Sequence, residues 1–324
     1  MRFPTGTPHL QNAKLSFVNF DSILRDSKVE RASKISGLIT VLYPDTTELL
    51  FLRQGEPVNA ARFTRTDRSI ISIREAIEKA KKSPVGTVSI YEVADELLAM
   101  ILATFNTKPA VEAVDAAETE PGAVLEKFAS TKFTGFVELR RGIELSYVRF
   151  AGGKPVHGYF AGRPGDEVSG EILRKYLALQ DPEGGSVKFD IYEVTPERIE
   201  QATPALISLF LKMMNAMIRE YGALVGPILA EKTLHSSREL AAKEFSLLTD
   251  FVIDKDLTVS GEPLASPDDL SRAFAAWTDI LVDAFRAVLG DRAEEVFVSA
   301  TKDFRFALKS TTFSEHSKLA KFLE

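Results

Sequence analysis

The sequence predicts an α+β protein: two tandem small mixed α/β modules followed by an all-helical domain. Three observations carry this prediction. A pattern of apolar strands and glycine-marked turns occurs twice, about 98 residues apart. SGLITV (36–41), QGEPV (54–58) and GTVSIYEV (86–93) return as TGFVEL (134–139), GGKPV (152–156) and GSVKFDIYEV (185–194). The interval from Gly37 to Gly55 is 18 residues, and that from Gly135 to Gly153 is again 18. Beyond Pro196 the strand pattern gives way to a helical rhythm. The expected parts are module one at 14–105, a linker at 106–120, module two at 121–200 and a helical domain at 201–324.

Residues 1–13 hold Pro4, Gly6 and Pro8 among polar groups and read as a poorly ordered lead-in. Leu15, Phe17, Phe20, Ile23 and Leu24 suggest a short amphipathic helix, or an edge strand running into one. Strands are expected at 36–43, 48–53, 58–64 and 86–93, with Pro44-Asp45 turning between the first two. Ile70, Ile73, Ile77 and Ala80 give 69–82 a helical spacing that stops near Pro84, and 95–105 reads as a helix. Alanine and acid dominate 106–120, hence the linker. Copy two repeats the order: a helix at 122–130, strands at 136–140, 145–150, 155–160 and 186–193, and a helix at 165–179 with Ile172, Leu173, Tyr176 and Leu177 inward. In the tail, Leu206, Leu209, Phe210, Met213, Met217, Tyr221, Leu224 and Ile228 mark a helical stretch that Gly226-Pro227 bends or divides. Further helices are expected at 238–252, 267–289 (entered through Ser266-Pro267), 291–301 and 313–322.

Composition narrows the function classes. The chain of 324 residues carries a net charge of -6, from 46 acidic and 40 basic residues. That balance argues against a nucleic-acid surface. With no cysteine, disulfides and thiolate metal sites are excluded. The opening MRFPTGTPHL lacks the apolar core of a signal peptide, and no apolar run approaches the roughly 20 residues that span a bilayer. A cytoplasmic location without membrane insertion is expected.

No motif announces catalysis. Gly37, Gly55, Pro57, Gly86, Gly135, Gly153, Pro155 and Gly185 read as structural turn and strand-start residues. Neither glycine turn has the lysine and hydroxyl of a phosphate loop or the spacing of a dinucleotide site. His9, His157, His235 and His316 are far apart and lack metal-site spacing, and Asp254–Leu264 starts like a calcium loop but loses the ligand spacing. No catalytic residue, cofactor or metal is expected. Arg141, His157, Tyr159 and Arg163 are the candidate ligand contacts; Met213 and Met217 are candidate partner contacts, with core packing as the competing role. Arg65, Arg68, Arg140 and Arg141 could form a basic stripe.

The modules resemble the domain at the N-terminus of bacterial PatA-type regulators and of response-regulator-associated proteins. Copy one carries the resemblance at Ser36-Gly37, 49–52, Gly55, 58–60, 70–80 and 86–90. Copy two carries it at Thr134-Gly135, 146–150, Gly153, 156–159, 171–179 and 185–189, and keeps Gly162 and Gly165 where copy one has the charged run 62–68. The resemblance implies a signalling-associated interaction module without catalytic residues. The leading expectation is therefore a non-enzymatic adaptor or scaffold in bacterial signalling, polarity or motility control. It would bind a protein partner, with homodimerisation a further expectation. The alternatives are a small-molecule or nucleotide sensor with a pocket between the modules, and an enzyme whose site forms only in three dimensions.

Overall fold

A computed structural model describes residues 1–27, 35–180, 184–196 and 199–323. The chain divides into two compact units, Met1–Ile199 and Glu200–Glu324.

The first unit holds two mixed α/β modules. Module one comprises β1 (Thr7–Lys14), α1 (Phe20–Asp26), β2 (Gly37–Leu42), β3 (Thr47–Arg53), β4 (Glu56–Phe63), β5 (Arg68–Ile70), α2 (Ile73–Lys82) and β6 (Thr87–Glu92). Helix α3 (Asp95–Asn106) leads to module two. There follow β7 (Val111–Asp115), α4 (Pro121–Thr131), β8 (Gly135–Arg141), β9 (Glu144–Ala151), β10 (Lys154–Tyr159), β11 (Asp166–Glu167), α5 (Gly170–Leu177) and β12 (Lys188–Tyr192). The sheets have the same order, β1-β6-β2-β3-β4-β5 and β7-β12-β8-β9-β10-β11, with every neighbouring pair antiparallel.

Two segments differ from expectation. Thr7–Lys14, most of it in the expected poorly ordered lead-in of residues 1–13, is an edge strand on β6, and Val111–Asp115, inside the expected linker, is its counterpart on β12. Both are mostly exposed. The ladder holds them rather than buried side chains, so neither shows apolar alternation. Both helices that precede the closing strand start later than expected, because β5 and β11 come first. The caps are Ser72 and Ser169, whose hydroxyls accept from the Glu75 and Ile172 amides at 3.0 and 3.3 Å. Ile172, expected inward, is 44% exposed, while Leu173, Tyr176 and Leu177 are buried.

Each sheet buries both faces. One face of module one packs Ile39, Leu50, Leu52, Val88 and Ile90 with Ile73, Ala76 and Ala80 of α2. In module two, Val137, Leu139, Val148 and Phe150 pack with α4 and α5 in the same manner. The alternate residues of the strands meet in a third, shared core. It joins Leu38, Leu49, Phe51 and Phe63 to α3 and to Phe136, Leu145, Tyr147 and Tyr192. The strands thus read as continuous apolar runs because they are two-sided. The N-terminal segment crosses between the modules: Arg2 exchanges backbone hydrogen bonds with Ile143 and Leu145, and Phe3 O accepts from Gly162 N.

The second unit comprises α6 (Pro204–Val225), α7 (Pro227–Ala242), a two-stranded ribbon of β13 (Val252–Ile253) and β14 (Val259–Ser260), α8 (Pro267–Leu289), α9 (Arg292–Thr301), α10 (Arg305–Lys309) and α11 (Phe313–His316). The helix expected at 238–252 is instead the end of α7, a 3-10 turn at Ser246–Asp250 and β13; the last expected helix stops at His316 and gives way to a 3-10 turn. Leu224 and Ile228, expected inward, flank the α6–α7 turn and are exposed. The stretch 254–264 is the ribbon turn and its exit, where Asp256 Oδ2 accepts from the Thr258 hydroxyl at 3.1 Å.

The two long helices pack in register here. Phe210 stacks on Phe274 at 5.0 Å and Tyr221 on Phe285 at 3.8 Å, each pair 64 residues apart, as are the positive-φ helix ends Gly226 and Gly290. Thr203 and Ser266 cap the two helices, each followed by proline at the first turn. Helices α6 and α8 therefore run parallel, with α7 packed on α8 and α9 on α6.

Candidate functional site

The shared core of the first unit contains charges. Residues 136, 138 and 140 of β8 share one face, as do 190 and 192 of β12, and the ladder sets Glu138 opposite Asp190. Arg68, at the start of β5, reaches across from module one. Its Nη1 donates to Glu138 Oε2 at 2.6 Å and its Nη2 to the Tyr192 hydroxyl at 3.2 Å. The Tyr147 hydroxyl donates to Glu138 Oε2 at 3.0 Å. Arg140 donates to Asp190 Oδ2 at 3.1 Å and lies 3.5 Å from Glu138 Oε1. Glu138 is 1% exposed, so this arginine latch is what makes its burial tolerable. A small polar cleft of about 220 Å³ remains beside it, with Arg65 and Thr66 at its rim.

Burial, and then the negative charge of Glu138, push the Tyr192 hydroxyl up to about 12. The same two causes, in the same order, hold Tyr147 well above the ordinary tyrosine value. A raised folded-state pKa gives stability that is complete below the unfolded value of about 10 and is lost as pH rises through the folded value. We expect the first unit to lose stability between about pH 10 and about pH 12 as Tyr192 titrates. Urea unfolding at about pH 9 and about pH 11 checks this, with equal midpoints counting against it.

His157 and Tyr159, on β10, converge on Glu96 of α3. His157 Nδ1 lies 2.9 Å from Glu96 Oε2, the Tyr159 hydroxyl donates to that oxygen at 3.0 Å, and Arg149 Nε is 3.6 Å from Oε1. Burial and Glu96 raise the Tyr159 pKa. His157 and Tyr159 line a groove of about 630 Å³ together with Glu92, Asp166 and Glu167. Arg141 and Arg163 are elsewhere. Arg141 is paired with Glu144 and lies 5.7 Å from the Tyr176 ring centre; Arg163 lies 4.3 Å from that of Phe160, which packs against Tyr176. The four residues grouped from the sequence thus form two separate sites.

The other candidates take structural places. Met213 and Met217 are fully buried in the helical core, out of reach of a partner. Gln54-Gly55 and Gly152-Gly153 have positive φ in the two-residue turns of the β3–β4 and β9–β10 hairpins, and Pro57 and Pro155 follow near strand irregularities. Gly86 has φ 124° ahead of β6. Gly185, matched to it by sequence, lies two positions before Val187, whose carbonyl accepts from Ala116 as that of Gly86 accepts from Leu15. His9 pairs with Glu92 at 3.2 Å and His316 lies 3.7 Å from Asp268. Ser236, beside His235, donates to the Thr233 carbonyl within its helix. Arg68, Arg140 and Arg141 are neutralised by carboxylates, which leaves no continuous basic stripe among the described residues.

Sequence reasoning missed Glu138, Asp190, Tyr192 and Glu96. A signal was present: FVELR and KFDIY each set a carboxylate in phase with buried residues of a two-sided strand. Among the described residues no group of three or more histidine, aspartate or glutamate side chains could hold a metal ion, and no helix is long and apolar enough to cross a membrane. The architecture is thus that of two similar α/β modules followed by a helical region. No protein-family model, no curated protein and no solved structure matches the chain.

Proposed function

We propose that this protein is a non-enzymatic adaptor in bacterial signalling, in keeping with the resemblance of its modules to those of PatA-type regulators. One observation supports this reading above others: the buried carboxylates of the first unit are matched by the protein's own cations. Glu48 is met by Arg62 and Lys79, Glu138 by Arg68 and Arg140, and Asp190 by Arg140. Of these pairs Arg68–Glu138 ties one module to the other, and charges committed in this way are not poised for acid–base chemistry. A rigid double module with grooves at its junction suits recognition of a protein partner. Affinity capture from the source cell's lysate, with quantitative mass spectrometry, tests the reading on the full chain and on residues 1–199. The expected result is one or a few saturable protein partners. Absence of any enriched protein with both forms folded rejects the adaptor. The second reading, a small-molecule sensor, draws support from the groove at His157 and Tyr159.

A further inference from the structure

The two modules present corresponding clefts where their sheets diverge, and these clefts differ in chemistry. Asn12 and Ala113 hold the same place in β1 and β7, with φ of 50° and 52°. Asn12 N donates to the Ser89 hydroxyl at 3.0 Å, and Ala113 N donates to Asp190 Oδ1 at 2.6 Å. The ladders pair Thr40 with Ser89 in one sheet and Glu138 with Asp190 in the other. Leu42 likewise matches Arg140, and Gln11 matches Glu112. The duplication has kept the backbone, bulge included, and exchanged charged side chains for neutral ones.

The charged cleft is closed by Arg68, which occupies Glu138 and Tyr192. The neutral cleft is open, at about 450 Å³ against about 220 Å³. From the β10–β11 loop it receives only Gly162, while Arg163 turns to the Phe160 ring. Among the described residues, the hydroxyls of Thr40, Thr87 and Tyr91 that line it make no hydrogen bond within the protein. The one ionised side chain in its described lining, Arg2, is paired with Glu144 at 3.2 Å, and the amino group of Met1, which also lines it, donates to the Thr47 hydroxyl at 3.0 Å.

From this arrangement we infer that the open cleft, lined by Gln11, Thr40, Thr87, Ser89 and Tyr91, binds an uncharged polyhydroxylated small molecule of sugar size. A cationic ligand would give up hydration there with no carboxylate to meet it, and an anionic one would meet only cations already engaged, Arg2 by Glu144 and the Met1 amino group by Thr47. An apolar one would leave the cleft hydroxyls without partners. A polyol supplies donors and acceptors on every side, and the volume lies within the range of small-ligand sites. This inference is independent of the adaptor reading, since a ligand in the cleft neither requires nor forbids a protein partner.

Saturation-transfer NMR on the full chain tests it with D-glucose, trehalose and myo-inositol, with acetate and putrescine as charged comparisons. The expected result is transfer to at least one polyol. The affinity should be roughly tenfold weaker in Thr40→Val/Tyr91→Phe, which removes two hydroxyls and keeps the shape. Should the double variant fail to fold, Thr87→Val serves the same purpose, with a several-fold loss expected. Transfer to none of the three polyols, undiminished binding in the variants, or preferential binding of acetate or putrescine overturns the assignment.

Discussion

Replacing Arg68 with alanine is expected to destabilise the first unit by about 3–5 kcal/mol, the cost of leaving a buried carboxylate without its cation. Glu138 is buried among aromatic rings, and Arg140, at 3.5 Å and partly committed to Asp190, is a poor substitute. Glu138→Gln in the Arg68→Met background removes both charges and should recover much of the loss. The pair therefore contributes through its completeness, and a double-mutant cycle measures it. Trp277, the one tryptophan, lies in the second unit, whereas six of the seven tyrosines (43, 91, 147, 159, 176 and 192) lie in the first. Tyrosine near-UV circular dichroism therefore follows the affected unit, while tryptophan fluorescence follows the other. A tyrosine transition in Arg68→Ala at the wild-type denaturant concentration would show that the latch carries no stability.

Much of the fold was legible because two-sided strands have a strong signature. VLYPDTTELLFLRQGEPV (41–58) brackets apolar runs with turn residues, and Ser266-Pro267 with Gly290 bounds a helix by its capping chemistry. The edge strands were not legible, because β1 and β7 hold to their neighbours through backbone hydrogen bonds that no side-chain pattern records. The stacking of Tyr221 on Phe285, which joins helices 64 residues apart, likewise leaves no local signal. The clefts were least legible of all. Arg68 and Glu138 stand 70 residues apart, and only the shared core that joins both modules and α3 makes them neighbours. His157 and Tyr159 could be selected as polar residues two apart on one face of a strand. Their partner Glu96 sits on a helix between the modules, where the pattern LLAMILA gives no hint of a salt bridge.

Gly37→Val and Gly135→Val should each cost at least about 3 kcal/mol, and chiefly for the same reason. A Cβ on Gly37 would stand 2.0 Å from the Tyr91 carbonyl oxygen, and one on Gly135 would stand 2.1 Å from that of Tyr192. In both cases the obstacle is backbone of the neighbouring central strand, so no rotamer change relieves it. Gly152→Ala serves as the comparison: its φ of 56° strains an L-residue by about 1 kcal/mol, but no atom lies within 4 Å of the added carbon. The two glycines have a further consequence, because the strand each one approaches carries the tyrosine of a cleft. Displacing the Tyr192 backbone in Gly135→Val also disturbs the hydroxyl that receives Arg68, whereas displacing that of Tyr91 in Gly37→Val alters the open cleft and leaves the latch intact. The Gly135 variant should therefore be the less stable of the two and should shift the alkaline transition of Tyr192, while the Gly37 variant keeps it. Denaturant unfolding of the three variants, repeated across the alkaline range, separates these outcomes. Wild-type stability in either valine variant would mean that the sheets yield at the point where the sequence repeat is most strictly kept.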